Sequence, residues 1–295
     1  MNGCNLCPRA CGADREHGGI GICGVGRKLY IARAALHLWE EPCISVGAGS
    51  GTVFFSGCAL KCVFCQNREI SRAQAGLPIT DDRLYDIFFE LKAQGAANIN
   101  LVTATQYADR VAKVLRRAKR DGLELPIVYN CGGYESVETL RLLEGLVDVY
   151  LPDFKYLSPD LAKRYSHAED YPTVAKRAIA EMVRQKPFPC FDGEKMVAGV
   201  LVRHLVLPNC VEDSIAILDY LYGEYGDDIY ISIMSQYTPP KGMTGDLARK
   251  LTQEEYDLVL AHAKKLGITN GFTQSGESAM ESFIPPFDTT GVLSR

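Results

Sequence analysis

Between residues 52 and 263, short β-rich runs alternate with amphipathic segments about six times, and this pattern limits the possible folds more than any other. The candidate strands are Thr52–Ser56, Asn98–Thr103, Pro126–Asn130, Val147–Leu151, Val200–Leu207 and Ile229–Met234. Apolar residues between them recur at the helical spacing: Leu84, Ile87, Phe88 and Leu91, then Val111, Val114, Leu115 and Ala118, and later Tyr256, Val259, Leu260 and Ala263. Weaker helices fit 136–144, 159–184 and 212–222. Strand–helix alternation of this kind predicts a parallel sheet with helices outside it. Six units are too few for a closed eight-fold barrel. The expectation is therefore an α/β fold, a partial (β/α)6 TIM-like barrel, with ligands at the C-terminal ends of its strands.

Residues 1–46 read as a Cys/Gly-rich leader and 47–295 as the barrel with a C-terminal closing segment. The first 27 residues carry Gly12, Gly18, Gly19, Gly21, Gly24 and Gly26 but few large apolar side chains. Such a stretch builds no core, so a bound metal or docking on the barrel must order it. Cysteine is the compositional outlier, with 11 among 295 residues. An odd count and an N-terminus without an apolar signal core argue against a disulfide framework and point to a cytoplasmic protein. Seven of the cysteines fall in two tight groups, as metal ligands do. A net charge of −4 gives no sign of a general nucleic-acid or membrane binder. The basic run within Asp109–Asp121 reads as the solvated face of a helix.

The segment Phe55-Ser-Gly-Cys58-Ala-Leu-Lys-Cys62-Val-Phe64-Cys65-Gln66-Asn67 follows the first strand directly. Three thiolates on one loop can converge on one face of a cubane cluster and leave one iron open. A zinc site completed by a distant Cys or His is the other reading.

This C-x3-C-x2-C loop resembles that of the radical S-adenosylmethionine (SAM) superfamily, and its Cys65-Gln66-Asn67 continuation resembles the activating enzymes of pyruvate formate-lyase. The resemblance implies a [4Fe–4S] cluster on Cys58, Cys62 and Cys65, with SAM chelating the fourth iron and cleaved to a 5′-deoxyadenosyl radical. Phe64 matches the aromatic that lies near the adenine. Where the family places an acidic motif after strand two to bind the SAM ammonium, this chain has Thr103, Ala104 and Thr105, which offer only neutral acceptors. Asn130 ends strand three, where relatives turn polar residues toward SAM. Asp153 and Lys155 form the Asp-x-Lys at the end of strand four. Arg203 lies in an apolar run, where an unpaired guanidinium is costly, so it needs either the SAM carboxylate or a fixed acid. His204 faces the other way, and Gln236 falls where the activating enzyme has a SAM-contacting His.

The second group, Cys4, Cys7, Cys11 and Cys23, supplies enough thiolates for a closed zinc site or an auxiliary iron–sulfur cluster. Cys43, Cys131, Cys190 and Cys210 have no partner at metal spacing. By resemblance, the chain activates a glycyl-radical enzyme and takes electrons from a flavodoxin or ferredoxin. The alternatives are radical chemistry on a small molecule, a peptide or RNA, or a non-catalytic iron–sulfur or zinc module.

Overall fold

The computed structural model describes residues 3–274 and 285–293. Up to Lys28 the chain makes only turns and bends. Then β1 (Leu29–His37) pairs antiparallel with β2 (Ser50–Phe55), Ala34 lying opposite Val53. After the short α1 (Arg68–Ser71), β3 (Leu77–Ile79) returns antiparallel to the start of β1.

The expected alternation follows: α2 (Asp81–Ala93), β4 (Ile99–Val102), α3 (Ala108–Arg120), β5 (Ile127–Cys131), α4 (Val137–Leu142) and β6 (Val149–Pro152). Next come α5 (Pro159–Ser166), α6 (Tyr171–Gln185), β7 (Cys190–Asp192), β8 (Lys195–Leu205), α7 (Val211–Tyr225), β9 (Tyr230–Met234), α8 (Gln253–Leu266) and β10 (Gly271–Thr273). The sheet runs β10-β9-β8-β6-β5-β4-β2-β1-β3, with β7 hydrogen-bonded to β8 beside this path. Every neighbouring pair from β2 to β10 is parallel. Among the described residues the path does not close on itself, so the structure is an α/β fold with an open, barrel-like sheet.

Residues of β2, β4, β5 and β6 are buried throughout, as a parallel sheet covered on both faces requires. Helix α2 shows how sequence sets an outer element. Thr80 caps it by accepting the Arg83 N–H, Asp81 and Asp82 occupy the first turn, and Leu84, Ile87, Phe88 and Leu91 are buried. Each of those apolar side chains contributes roughly 1.5–3 kcal/mol by leaving water.

Three expectations change. The single helix over 159–184 is two, because His167 adopts a left-handed backbone at the end of α5 and Pro172 opens α6. The stretch read as leader to residue 46 contains β1, so part of it belongs to the main sheet. The parallel run also gains a seventh strand, β10.

The outer edge of β1 is covered in two stages. β3 pairs with Leu29–Ile31, and then the C-terminal segment takes over: Thr289 N–H donates to the Ala32 carbonyl and Ala34 N–H to that of Thr290. Val292 is fully buried there and Phe287 packs edge-on against Phe54 at 5.6 Å.

Candidate active site

The C-terminal ends of β2, β4, β5, β6, β8 and β9 point the same way, and one cavity lies over them. Its floor is the loop after β2, which contributes Cys62, Phe64, Cys65, Gln66 and Asn67. Asn130, Asp153, Lys155, Arg203 and Glu40 form a charged wall. Phe54, Val102, Leu205, Leu207 and Met234 form an apolar one, and His37, Trp39, Gln236 and Pro285 also line the space.

The floor loop is held on every side. Gly57 has φ +91°, and a Cβ there would lie 2.9 Å from Val25 and 3.0 Å from the Cys23 carbonyl oxygen, so glycine is required both by conformation and by space. Gln106 donates from Nε2 to the carbonyls of Ser56 (3.0 Å) and Gly57 (2.9 Å), and Cys58 N–H donates to the Cys23 carbonyl (3.2 Å). Arg9 Nε donates to the Ala59 carbonyl, Ser166 Oγ donates to Cys62 Sγ at 2.9 Å, and Gln66 Nε2 ties the loop to the Gln236 carbonyl at 2.7 Å. Phe64 is wedged edge-on among Tyr156, Tyr165 and Tyr237, with centroids 6.3–6.4 Å away.

The charged wall is a connected network. Arg203 donates from Nε to Asp153 Oδ1 (2.9 Å), from Nη1 to Glu40 Oε2 (3.2 Å) and from Nη2 to Asn130 Oδ1 (2.7 Å). Lys155 Nζ donates to Asp153 Oδ2 at 2.5 Å. Asn100 and Asn130 donate their amides to Glu40 Oε1 at 3.1 and 3.3 Å. Burial pushes the Asp153 carboxyl up, but Arg203 and Lys155 together outweigh it and hold the group below its ordinary range. Around Glu40 burial wins over Arg203, and the carboxyl is raised. Glu41, next to it, is raised to about 7 by burial, and its Oε2 is buried without a hydrogen bond. Burial would lower the Lys155 ammonium, but Asp153 and Cys62 more than offset that, so it stays cationic.

The structure thus brings Cys62, Cys65, Phe64, Gln66, Asn130, Asp153, Lys155, Arg203 and Gln236 to one cavity. Cys58, the first cysteine of the same loop, does not line the cavity. The acid that Arg203 needs is supplied by the protein itself. Thr103, Ala104 and Thr105 are not brought to the cavity wall. Thr103 holds a left-handed backbone, φ +58°, Ala104 is fully buried, and the Thr105 hydroxyl donates to Glu135 Oε1 and accepts from Tyr129. His204 faces away, between the Phe154 carbonyl (2.7 Å) and Ser214 Oγ (2.9 Å). Cys131, Cys43 and Cys210 are buried, and Cys190 is exposed. The basic residues of α3 pair with acids nearby: Arg110 with Asp81, Arg117 with Asp82, and Lys119 with Asp148.

Sequence reasoning missed Glu40, which lies within the stretch read as leader. Its available signal was a pair of carboxylates directly after the only tryptophan of the chain.

Comparison with known proteins decides the family. A Radical SAM superfamily model matches residues 52–193, the span from β2 through β7 that includes the cysteine loop. The uncharacterized protein MJ0674 of Methanocaldococcus jannaschii is 30% identical over 278 residues, covering 90% of this chain and 75% of that protein. The chain belongs to the radical SAM superfamily. It is a radical SAM enzyme. Solved structures with a similar fold include SuiB of Streptococcus suis bound to S-adenosylmethionine (TM-score 0.51, 16% identity, 74% of this chain and 48% of that one). SuiB bound to its precursor peptide SuiA gives 0.52 at 12% identity, over 74% and 46%. The FeFe-hydrogenase maturase HydG of Carboxydothermus hydrogenoformans gives 0.52 at 12%, over 78% and 54%. The chain spans about half the length of these solved structures.

Membership in the superfamily implies a [4Fe–4S] and SAM cofactor system. Among the described residues, no three His, Cys, Asp or Glu side chains are drawn together as a formed metal site. The donor chemistry nevertheless fits a radical SAM enzyme: three free thiols sit on one braced loop, with a cationic Lys155 beside them and an acidic and basic network facing the same cavity. No helix among the described residues is long and apolar enough to cross a membrane.

Proposed function

We propose that this radical SAM enzyme acts on a peptide or a protein segment. In this reading Cys58, Cys62 and Cys65 hold a [4Fe–4S] cluster and SAM occupies the cavity between them and the charged wall. Together these groups supply one-electron chemistry that generates a hydrogen-abstracting radical. The amino-acid end of SAM falls to Asn130, Asp153, Lys155, Arg203 and Glu40, and the adenosyl end to Phe64, Gln66 and Gln236. Thr105 leaves the set because its hydroxyl is already used by Glu135 and Tyr129. Glu40 enters it as the charged acceptor missing after strand two. Arg203 fixes the two carboxylates, so that neither side chain has to reorganise when a cationic ligand arrives.

The observation that carries this reading is the two-sided character of the cavity. Cysteines and the charged network line the cavity, and Trp39, 59% exposed, lines it too. An exposed aromatic side chain at a cavity suits the side chains of an extended peptide. The solved SuiB complex with a precursor peptide, on a similar fold, supports the same class. The Asp153-x-Lys155 and Cys65-Gln66-Asn67 resemblance to glycyl-radical activating enzymes describes a narrower case, in which the segment is a loop of a folded partner. A flavodoxin or ferredoxin is the electron donor expected by resemblance.

The test is anaerobic turnover of the cluster-loaded enzyme with SAM and a reductant, monitored as 5′-deoxyadenosine. A macromolecular fraction of host extract is expected to stimulate release, and protease treatment of that fraction is expected to abolish the effect. Stimulation that survives protease and passes a dialysis membrane would mean a small-molecule substrate and sink the peptide reading. No 5′-deoxyadenosine from a loaded cluster would sink the SAM-cleavage reading.

A further inference from the structure

Residues 3–28 keep a defined path without a helix or strand. Hydrophobic burial does not explain this order. Ile20 is 68% and Ile22 50% exposed, while Cys23 and Val25 are the only apolar side chains of the segment in the core. A stretch this short and this poor in buried apolar area needs a cross-link.

Four free thiols lie where that cross-link would be. A Cβ on Gly21 would stand 3.2 Å from Cys23 Sγ and 3.4 Å from Cys11 Sγ, the Cys4 N–H donates to the Ala13 carbonyl and the Gly12 N–H to the Cys4 carbonyl, and the Ala10 N–H closes a turn on the Cys7 carbonyl between Cys7 and Cys11. The local backbone is shaped around them. Gly12 (φ +64°) and Gly24 (φ +88°) each follow a cysteine in a left-handed conformation. At Gly12 an added Cβ would meet nothing within 4 Å, so the turn rather than crowding asks for glycine. Arg15 Nη1 lies 3.6 Å from Cys4 Sγ. A guanidinium donor aimed at sulfur suits a thiolate that holds metal.

We propose that Cys4, Cys7, Cys11 and Cys23 close around one tetrahedral divalent ion of the zinc class, and that this centre braces the loop bearing Cys58. Zinc–sulfur bonds of about 2.3 Å hold four thiolates close together, and Cys11 Sγ and Cys23 Sγ already flank one position, the Cβ site of Gly21. All four coordination positions are filled by protein, so the ion is structural. The brace runs through the Cys23 carbonyl to the Cys58 amide, through Val25 packed on Gly57, and through Arg9 to the Ala59 carbonyl. This goes beyond the SAM reading and is independent of it.

The decisive measurement is metal and sulfide analysis of the Cys58→Ala/Cys62→Ala/Cys65→Ala variant, purified without oxygen. One zinc per chain with no iron or acid-labile sulfide is expected. Iron with sulfide, or no metal at all, overturns the proposal. Should that variant fail to fold, the wild-type chain stripped of metal and titrated with Co2+ gives the same answer. The charge-transfer and ligand-field bands of a tetrahedral four-thiolate site are expected, and their absence overturns it. For the brace, amide exchange of the peptide spanning residues 55–66 is compared in wild type and Cys4→Ser/Cys7→Ser, both cluster-free. Exchange at least several-fold faster in the variant, with the far-ultraviolet dichroism of the barrel kept, is expected. Unchanged exchange overturns the brace.

Discussion

The carbonyl of Cys23 accepts the N–H of Cys58 at 3.2 Å, so the last cysteine of one group is joined by a single hydrogen bond to the first cysteine of the other. Gly57 makes that approach possible. Its φ of +91° and the 3.0 Å between a would-be Cβ and the Cys23 oxygen leave no room for a side chain. Gly57→Ala is expected to destabilise the fold by about 1–3 kcal/mol through backbone strain and to lower the iron bound after reconstitution. Thermal denaturation and iron per chain check it, and an alanine variant with wild-type Tm and iron content would contradict it.

Arg203 answers for two part-buried carboxylates at once. Arg203→Met leaves Asp153 and Glu40 without their main cation, which costs on the order of 3–5 kcal/mol for a broken buried pair. A fall in Tm of roughly 10 °C is expected. Arg203→Met combined with Asp153→Asn and Glu40→Gln is expected to recover only part of that loss, because neither carboxylate is left without its cation but Lys155 loses its Asp153 partner. Calorimetry on the single and triple variants decides the point.

His204 sets a pH dependence whose sign follows from burial. Burial, outweighing the Phe154 carbonyl, pushes the imidazole down to about 4 from an ordinary value of 6.5. Between these values the unfolded chain binds a proton that the folded chain refuses, so stability falls as pH drops from about 6.5 to 4 and is fully present above. The shift corresponds to at most about 3 kcal/mol. His204→Gln is expected to flatten this part of the profile, measured as denaturant midpoints at each pH. An unchanged slope in the variant would assign the dependence to other groups.

On the proposed function, replacing Trp39 is expected to affect substrate recognition rather than SAM chemistry. It is 59% exposed at the cavity, so Trp39→Ala is expected to shift stability by no more than about 0.5 kcal/mol. Release of 5′-deoxyadenosine without substrate should stay at the wild-type rate, while the stimulation given by peptide should drop several-fold. Equal loss of both activities would place the residue in the SAM site instead.

Most of the parallel sheet was legible because its strands are short apolar runs between turns, and each of the six expected strands lies within a few residues of β2, β4, β5, β6, β8 or β9. β1 was not, since Ala32, Ala34 and Ala35 give it no strand signature, and only pairing with β2 makes it one. The left-handed turn at His167 was hidden for a related reason, because the sequence around it keeps a helical period. In the site, residues at strand ends were found by position: Asn130, Asp153 and Arg203 face one another because their strands are neighbours. Glu40 reaches the same place from a connector 163 positions away in sequence, a closeness no local pattern encodes. Thr105 shows the converse. Its place in the sequence matched a family motif, yet its hydroxyl turns to Glu135 rather than the cavity.

The two-stage cover of β1 bears on how the protein behaves at high concentration. β3 satisfies the edge as far as Ile31, and the tail around Thr289 and Thr290 satisfies it at Ala32 and Ala34. A chain shortened before Pro285 would present a bare, alanine-rich strand edge beside the uncovered ring of Phe54, a template for edge-to-edge pairing between molecules. By covering this edge, the segment removes that template for pairing.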